Sequence, residues 1–235
     1  MNEGVVLGIV CSHPAEMRAV QAIMKEKHDV RFSLFKGCEG RLGERPCVAI
    51  ESGMGGDRAY VATKQLLPIY RPRDILDFGL AAGLRADLVP GDVVIADRVL
   101  DCSVFLGAWR ERDPFFTNDP PGTGRDENTV LSPAEEVPAA AERAGLKKAA
   151  VGSSEFFLES GRVRDALRDL GVDVFDYETW SAALAAHEAG VSWASLRAVS
   201  DGGTPSARED FHRHMKASLS KASEALARFA AAWEK

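Results

Sequence analysis

Short apolar runs alternate along most of the chain with longer stretches whose apolar positions recur every three or four residues. The first run, Val5–Val10, is continuously apolar, as in a strand buried on both faces. Pro14 opens a helix predicted to reach about Glu26, with Val20, Ile23 and Met24 on one face. Arg31–Phe35 and Cys47–Ile50 read as strands, and Arg58–Leu67 as a helix that Pro68 ends. Ile75–Phe78 and Val93–Ala96 are further short strands, the second preceded by a Pro90-Gly91-Asp92 turn. Later come a helix over Ala134–Ala144 despite Pro138, a strand over Ala149–Ser153, and a helix over Ser160–Leu170 with Ser160 as cap and Gly171 as stop. Val172–Phe175 is the next strand, Thr179–Ala189 an alanine-rich helix ended by Gly190, and Trp193–Val199 the last strand. A terminal helix over Arg208–Trp233 presents Phe211, Met215, Leu219, Ala222, Leu226, Phe229 and Trp233 on one face.

This alternation predicts an α/β fold, a three-layer α/β/α arrangement around a central mixed sheet. Ligands in such sheets gather where strands end, and Glu51, Gly79, Asp176 and Ser200-Asp201 are expected at strand ends. Residues 105–132 break the pattern with Asp113-Pro114, Asp119-Pro120-Pro121-Gly122 and Gly124. So long an irregular segment, carrying Trp109, Phe115 and Phe116, reads as a lid or a subunit contact.

Composition narrows the function classes. The 235 residues are 46% hydrophobic and 27% charged, which suits one domain over 1–235. A net charge of −6 without a basic tract argues against an electrostatic nucleic-acid binder. No run is long and apolar enough for a bilayer span, and Gly4–Val10 lacks the basic leader and cleavage motif of a signal peptide. Cysteines at 11, 38, 47 and 102 show no metal-type spacing and point to the reducing cytoplasm. His212 and His214 are two apart on a helix, a poor metal pair, and read as solvated. His13 reads as a surface histidine at a helix start in preference to a ligand contact.

The richest stretch is Ile50-Glu51-Ser52-Gly53-Met54-Gly55-Gly56-Asp57-Arg58, a strand passing through three glycines into a helix. Such a turn lets a ligand approach the backbone and offers it unpaired N–H groups. A dinucleotide fingerprint fails because Arg58 stands where its last glycine belongs, so a nucleotide-dependent reductase is disfavoured. Glu16 falls at the third helical position, where spacing alone favours a capping role over a general acid/base. Asp176 and Glu178 flank Tyr177 and suit either a vicinal diol or a solvated strand edge. Asp201, before Gly202-Gly203, is either an ordinary turn aspartate or an acid placed to protonate a leaving group.

Taken in order, Gly8-Ile9-Val10 with Glu16, Ser52–Gly56, Asp77–Leu84, Pro90–Val94, Asp176-Tyr177-Glu178 and Arg197–Asp201 resemble the nucleoside phosphorylase/nucleosidase superfamily. The pattern is closest to that of its methylthioadenosine/S-adenosylhomocysteine nucleosidases. The resemblance implies cleavage of the N-glycosidic bond of a purine nucleoside by water, without metal or organic cofactor, in a homodimer. It implies that Asp201, assisted by Ser200, protonates the base, that Glu16 activates water, and that Arg197 positions the water or pairs with Glu16. It implies that Glu178 holds the ribose hydroxyls beside Tyr177 and Asp176. Phe157 would stack on the base, the backbone near Leu158 would read its edge, and Gly55, Leu80 and Ala81 would line the pocket.

The chain also departs from the pattern. Tyr177 stands for methionine, Asp176 for glutamate and Leu80 for a polar residue, while His13-Pro14-Ala15 replaces a methionine and two glutamates. These departures resemble the hopanoid-biosynthesis phosphorylases and futalosine hydrolases of the superfamily, and keep open a nucleoside-binding protein with degraded catalysis. Asp77 is acidic where a phosphorylase would carry an arginine, and Arg18 and Arg58 are the remaining candidates to contact an anion.

Overall fold

The computed structural model describes residues 6–103 and 130–233. Trp109, Phe115 and Phe116, with the lid or subunit contact expected of them, lie outside the described residues.

Among the described residues the strands are β1 (Leu7–Cys11), β2 (Lys25–Arg31), β3 (Lys36–Leu42), β4 (Arg45–Glu51), β5 (Asp74–Gly83), β6 (Val93–Asp101), β7 (Val130–Leu131), β8 (Lys147–Ser153), β9 (Val174–Asp176) and β10 (Ser192–Asp201). The helices are α1 (Pro14–Ile23), α2 (Gly56–Tyr70), α3 (Glu136–Arg143), α4 (Gly161–Asp169), α5 (Thr179–Glu188) and α6 (Ala207–Trp233). None of these helices is long and apolar enough to cross a membrane.

The sheet is mixed. Its order is β10-β6-β8-β9-β5-β1-β4-β3-β2, and β10 also pairs with β5. That second pairing closes β5, β10, β6, β8 and β9 into a ring, while β1, β4, β3 and β2 extend from β5 as an open wing. The β5–β10 pairing is parallel and β5–β9 antiparallel, so β5 is the seam of the ring. All ten of its residues are buried.

Alternation along the strands feeds two cores. Leu7, Ile9 and Cys11 of β1 pack with Met17 and Val20 of α1, Val137 and Ala140 of α3, and Leu226, Phe229 and Trp233 of α6. Val10, one position out of phase, packs with Leu66 of α2 and Ala183 and Ala186 of α5. Helices therefore cover both faces of the sheet, the three layers that the alternation predicts.

Several boundaries differ from the expectation. The first helix stops at Ile23, because Lys25–Arg31 is drawn into a hairpin with β3. Arg31–Phe35 is consequently not a strand but the end of β2 and the connection between the two strands. Both hairpin strands were hidden by their polarity: β2 is an exposed edge strand with the sequence KEKHDVR. Pro68 lies inside α2, which continues to Tyr70 and ends on Arg71 in the left-handed region, φ 46°. In α3, Pro138 sits in the first turn, where its missing N–H costs no helical hydrogen bond. Gly79 is not at a strand end but well inside β5, because that strand runs past the ring closure to Gly83.

Candidate active site

A cavity of about 350 Å³ opens beside the ring, between the start of α1, the start of α6 and the ends of β9 and β10. Its lining includes Ser12, His13, Glu16, Met54, Leu80 and Ala81 from the first half of the chain. Phe156, Phe157, Leu158, Asp176, Tyr177, Glu178, Ser200 and Asp201 come from the second half, with Arg208, Phe211 and His212 of α6.

Glu16 shows how local structure builds the site. It occupies the third position of α1 and completes a capping box with His13. One carboxylate oxygen, Oε2, accepts the backbone N–H groups of Ser12 at 3.0 Å and His13 at 2.9 Å, and the Ser12 hydroxyl at 3.1 Å. The other, Oε1, accepts the Leu80 N–H at 3.0 Å. The capping and acid/base readings of this residue are therefore compatible, since the cap fixes the carboxylate at the cavity wall. Leu80 contributes its backbone to this bond and its side chain to the cavity wall.

Asp201 owes its direction to an irregularity in β10. Val199 pairs with Ala81 and Asp201 with Ala82, so Ser200 is an extra residue in the ladder. Such a bulge re-aims the side chains beside it. The Asp201 carboxylate accepts the Ser200 hydroxyl at 2.8 Å and the Gly203 N–H at 3.0 Å. Burial raises its pKa above the ordinary aspartate value, and these two hydrogen bonds pull the other way. Gly203 has φ 62°, and a Cβ there would come within 2.7 Å of Leu158, so the turn that supplies this N–H requires glycine.

Glu178 precedes α5 and is only 4% exposed. Its Oε1 accepts the Gly55 N–H at 2.9 Å, joining the glycine turn before α2 to the cavity. Gly55 itself is not among the lining residues; it meets the site through this bond. Burial first, then the neighbouring Asp176, push the Glu178 pKa well above the ordinary glutamate value. Glu155 caps the adjacent Gly56 N–H at 2.6 Å. Tyr177 lines the cavity between Asp176 and Glu178, and burial raises its hydroxyl pKa to about 12.

Asp176 and Arg197 belong to a network beneath the cavity. The Arg197 guanidinium is buried, with Nε 2.7 Å from Asp176 and Nη2 bonded to Asp77. Thr179 and Ser153 supply further hydrogen bonds to Asp176. The Asp176 carboxylate is thus engaged by protein partners, although the residue still lines the cavity. Surrounding carboxylates, Asp176 and Asp77 foremost among them, hold Arg197 firmly protonated against the cost of burial. Among the described residues its Nη1 has no hydrogen-bond partner, and it lies beside Gly79, as Glu16 Oε1 does. A Cβ on Gly79 would collide with Arg197 Nη1 and with Glu16 Oε1, so glycine leaves room for both side chains over one backbone position.

Phe157 lies edge-on to Phe211, ring centroids 6.1 Å apart, and Leu158 is 3% exposed beside it. Every residue assigned to the site from sequence lines the cavity except Arg197 and Gly55, which touch it through other residues. Sequence reasoning missed Arg208; Phe211 packs against the core and His212 is exposed, as expected, and all three also line the cavity. Their spacing of three and four residues, just after the Asp201 turn, is the signal that could have revealed them. The anion candidates lie elsewhere: Arg18 is exposed on α1, and Arg58 donates to the Ser52 carbonyl at 2.6 Å and rests over the Phe35 ring.

With this geometry in hand, comparison with known proteins assigns the family. The sequence model of the Phosphorylase superfamily matches residues 6–232. The chain belongs to that superfamily. Among curated relatives, the 5'-methylthioadenosine/S-adenosylhomocysteine nucleosidase of Marinomonas sp. (strain MWYL1) is 26% identical over 223 residues, covering 93% of this chain and 95% of the relative. The nucleosidase of the same name from Bacillus thuringiensis (strain Al Hakam) is 29% identical over 170 residues, covering 70% and 73%. The fold is shared with the crystal structure of the Neisseria meningitidis nucleosidase of that name in complex with methylthio-immucillin-A. That likeness has a TM-score of 0.85 and 21% identity over 96% of this chain and 98% of that one. It is shared equally with the futalosine hydrolase of Helicobacter pylori strain 26695, TM-score 0.86 and 18% identity over 98% and 99%. This superfamily member therefore carries its candidate site where the ring of strands, α1 and α6 meet.

Proposed function

We propose that this protein hydrolyses the N-glycosidic bond of a purine nucleoside, of the methylthioadenosine/S-adenosylhomocysteine type. The observation that carries the reading is the convergence of Glu16, Glu178 and Asp201, far apart in sequence, on one cavity with an aromatic wall. The names of the curated nucleosidase relatives support the same reaction.

In this reading the purine lies against Phe157 and Leu158, and the ribose lies over Tyr177. Glu178 uses Oε1 for Gly55 and keeps Oε2 for the ribose hydroxyls. As the C1′–N9 bond breaks, its electron pair passes to the base and positive charge grows on the sugar. Asp201, whose pKa burial raises, is the acid that gives its proton to N7. Water adds to C1′ and loses a proton to Glu16, with Arg197 Nη1 near that carboxylate. The products are the purine and the free sugar.

Water is favoured over phosphate as nucleophile for a structural reason. The Ser12, His13 and Leu80 N–H groups form an anion seat that the Glu16 carboxylate already fills. A phosphate dianion beside it would face that charge, and Arg197 is committed to Asp77 and Asp176. Chromatography of the products from 5′-substituted adenosines, with and without phosphate, tests this. Free sugar in both cases is expected; a sugar 1-phosphate appearing only with phosphate would make the protein a phosphorylase, and tight binding without base release would make it a nucleoside-binding protein.

The reading is completed by one domain spanning the chain, a homodimeric state and a cytoplasmic location. Four buried, unpaired cysteines are in keeping with a reducing compartment, and light scattering on the purified protein measures the subunit number.

A further inference from the structure

The bulge that aims Asp201 is held from outside the cavity as well as from within it. At its start the Val199 carbonyl accepts the Gly91 N–H at 2.8 Å and the Ser218 hydroxyl at 2.8 Å. One residue on, the Ser200 carbonyl lies 3.3 Å from His214 Nδ1. His214 and Ser218 stand one turn apart on α6, so one face of that helix brings two donors to consecutive carbonyls of β10. His214, expected in solvent from the sequence, is half-buried there, and it is not among the residues that line the cavity.

A carbonyl oxygen has no proton to give, so this contact requires the ring proton on His214 Nδ1. The Ser200 carbonyl belongs to the rigid peptide plane that joins Ser200 to Asp201. Holding that plane restrains the direction in which the Asp201 side chain leaves the backbone. The Ser200 hydroxyl, on the same residue, donates to Asp201 Oδ2 at 2.8 Å. His214 also reaches the acid through space. After burial and its two hydrogen bonds, the next influences on the Asp201 pKa are Asp210, which raises it, and His214, which lowers it.

We propose that His214 is a positioning residue for the acid Asp201: its Nδ1–H pins the Ser200 carbonyl and keeps the bulge in the form that aims the carboxyl at the leaving base. In the hydrolase reading, on which this inference rests, His214 touches no substrate and acts only through the acid. Ser200 is 1% exposed, so without the imidazole its carbonyl is a buried acceptor in need of another donor, and the peptide plane is free to turn toward one. The loss then falls on the departure of the base and not on binding, because His214 lies outside the cavity.

The test compares the wild type with His214→Leu and His214→Ala, which remove the donor, and with His214→Asn, whose amide nitrogen stands where Nδ1 does. With methylthioadenosine the two apolar variants are expected to lose about tenfold in kcat with KM within about twofold, and His214→Asn to regain most of the loss. Added to Asp201→Asn, either apolar change is expected to cause no further loss, because its effect passes through the acid. A second measurement needs no turnover. Calorimetry compares the 5′-methylthio derivatives of 9-deazaadenosine, which carries an N7–H, and of 7-deazaadenosine, which has carbon there. The wild type is expected to prefer the first, and the apolar variants to narrow that preference by about threefold or more. Unchanged kcat in the apolar variants, a full additional loss in the Asp201→Asn background, or a preference that they leave unmoved would overturn the proposal. Absence of base release by the wild type, with a preference that the apolar variants narrow, would defeat the hydrolase reading alone.

Discussion

At the scale of single residues, the acids differ in what surrounds them, and so in what their loss should do. Asp201 accepts the Gly203 N–H on Oδ1 and the Ser200 hydroxyl on Oδ2; an asparagine keeps the first on its oxygen, and the Ser200 hydroxyl can turn to accept from the amide N–H. Asp201→Asn is therefore expected to fold normally and bind nucleoside, yet lose about 10²–10⁴-fold in kcat, measured as released purine. Glu16→Gln combines two losses. The amide cannot take a proton from water, and its nitrogen cannot accept the N–H groups that Oε1 and Oε2 now share. Hydrolysis is expected to drop at least about 100-fold, with a melting temperature a few degrees lower. A lower melting temperature with unchanged turnover would leave Glu16 as a helix cap alone.

At the scale of elements, β5 and β10 set the chemistry through departures from regular strands. The Ser200 bulge turns Asp201 toward the cavity, and the bare backbone at Gly79 leaves room for both Arg197 and Glu16. Gly79→Ala puts a methyl group against both side chains inside a fully buried strand. We expect at least about a tenfold loss of kcat and a destabilisation of about 1–3 kcal/mol by overpacking, read from kinetics and denaturant titration of the variant. Wild-type values for both would mean that the room left at Gly79 has no consequence. The same elements show what the sequence conceals. Long apolar stretches such as β1 and β10 were legible because burial on both faces leaves a continuous signature. The β2–β3 hairpin was not, because an exposed charged edge strand takes its conformation from pairing with its neighbour and not from its own pattern. That Phe211 and His212 also line the cavity was not legible for a related reason. A helical stripe of apolar residues identifies a buried face but cannot say which of its turns meets a cavity.

At the scale of the whole molecule, the fold concentrates Glu16, Asp77, Asp176 and Glu178 around one arginine. Burial is the main reason that the Asp77 pKa rises, to about 6, against the attraction of Arg197. Unfolding returns Asp77 to the ordinary aspartate range near 4, so the folded state holds the proton more tightly. The linked stability is fully present below the unfolded value and is lost as pH rises through the folded one. Between about pH 4 and pH 6 the wild type is therefore expected to lose stability relative to Asp77→Asn, in thermal melts of the two proteins across that range. A stability difference independent of pH would show that Asp77 titrates alike in both states. Glu178 and Asp201, also raised, act in the same direction.

The amino-acid sequence by itself determined the alternation of strands and helices, the layered fold, and the short segments that carry the acids. Those are consequences of local periodicity, capping and turn chemistry, which need no knowledge of distant partners. Only the tertiary structure decided that β10 closes back on β5, that Arg197 lies under the cavity wall, and that the first turns of α6 supply part of its lining. Each of these depends on pairing or packing between residues many positions apart, and the free energy of such contacts leaves no periodic trace along the chain.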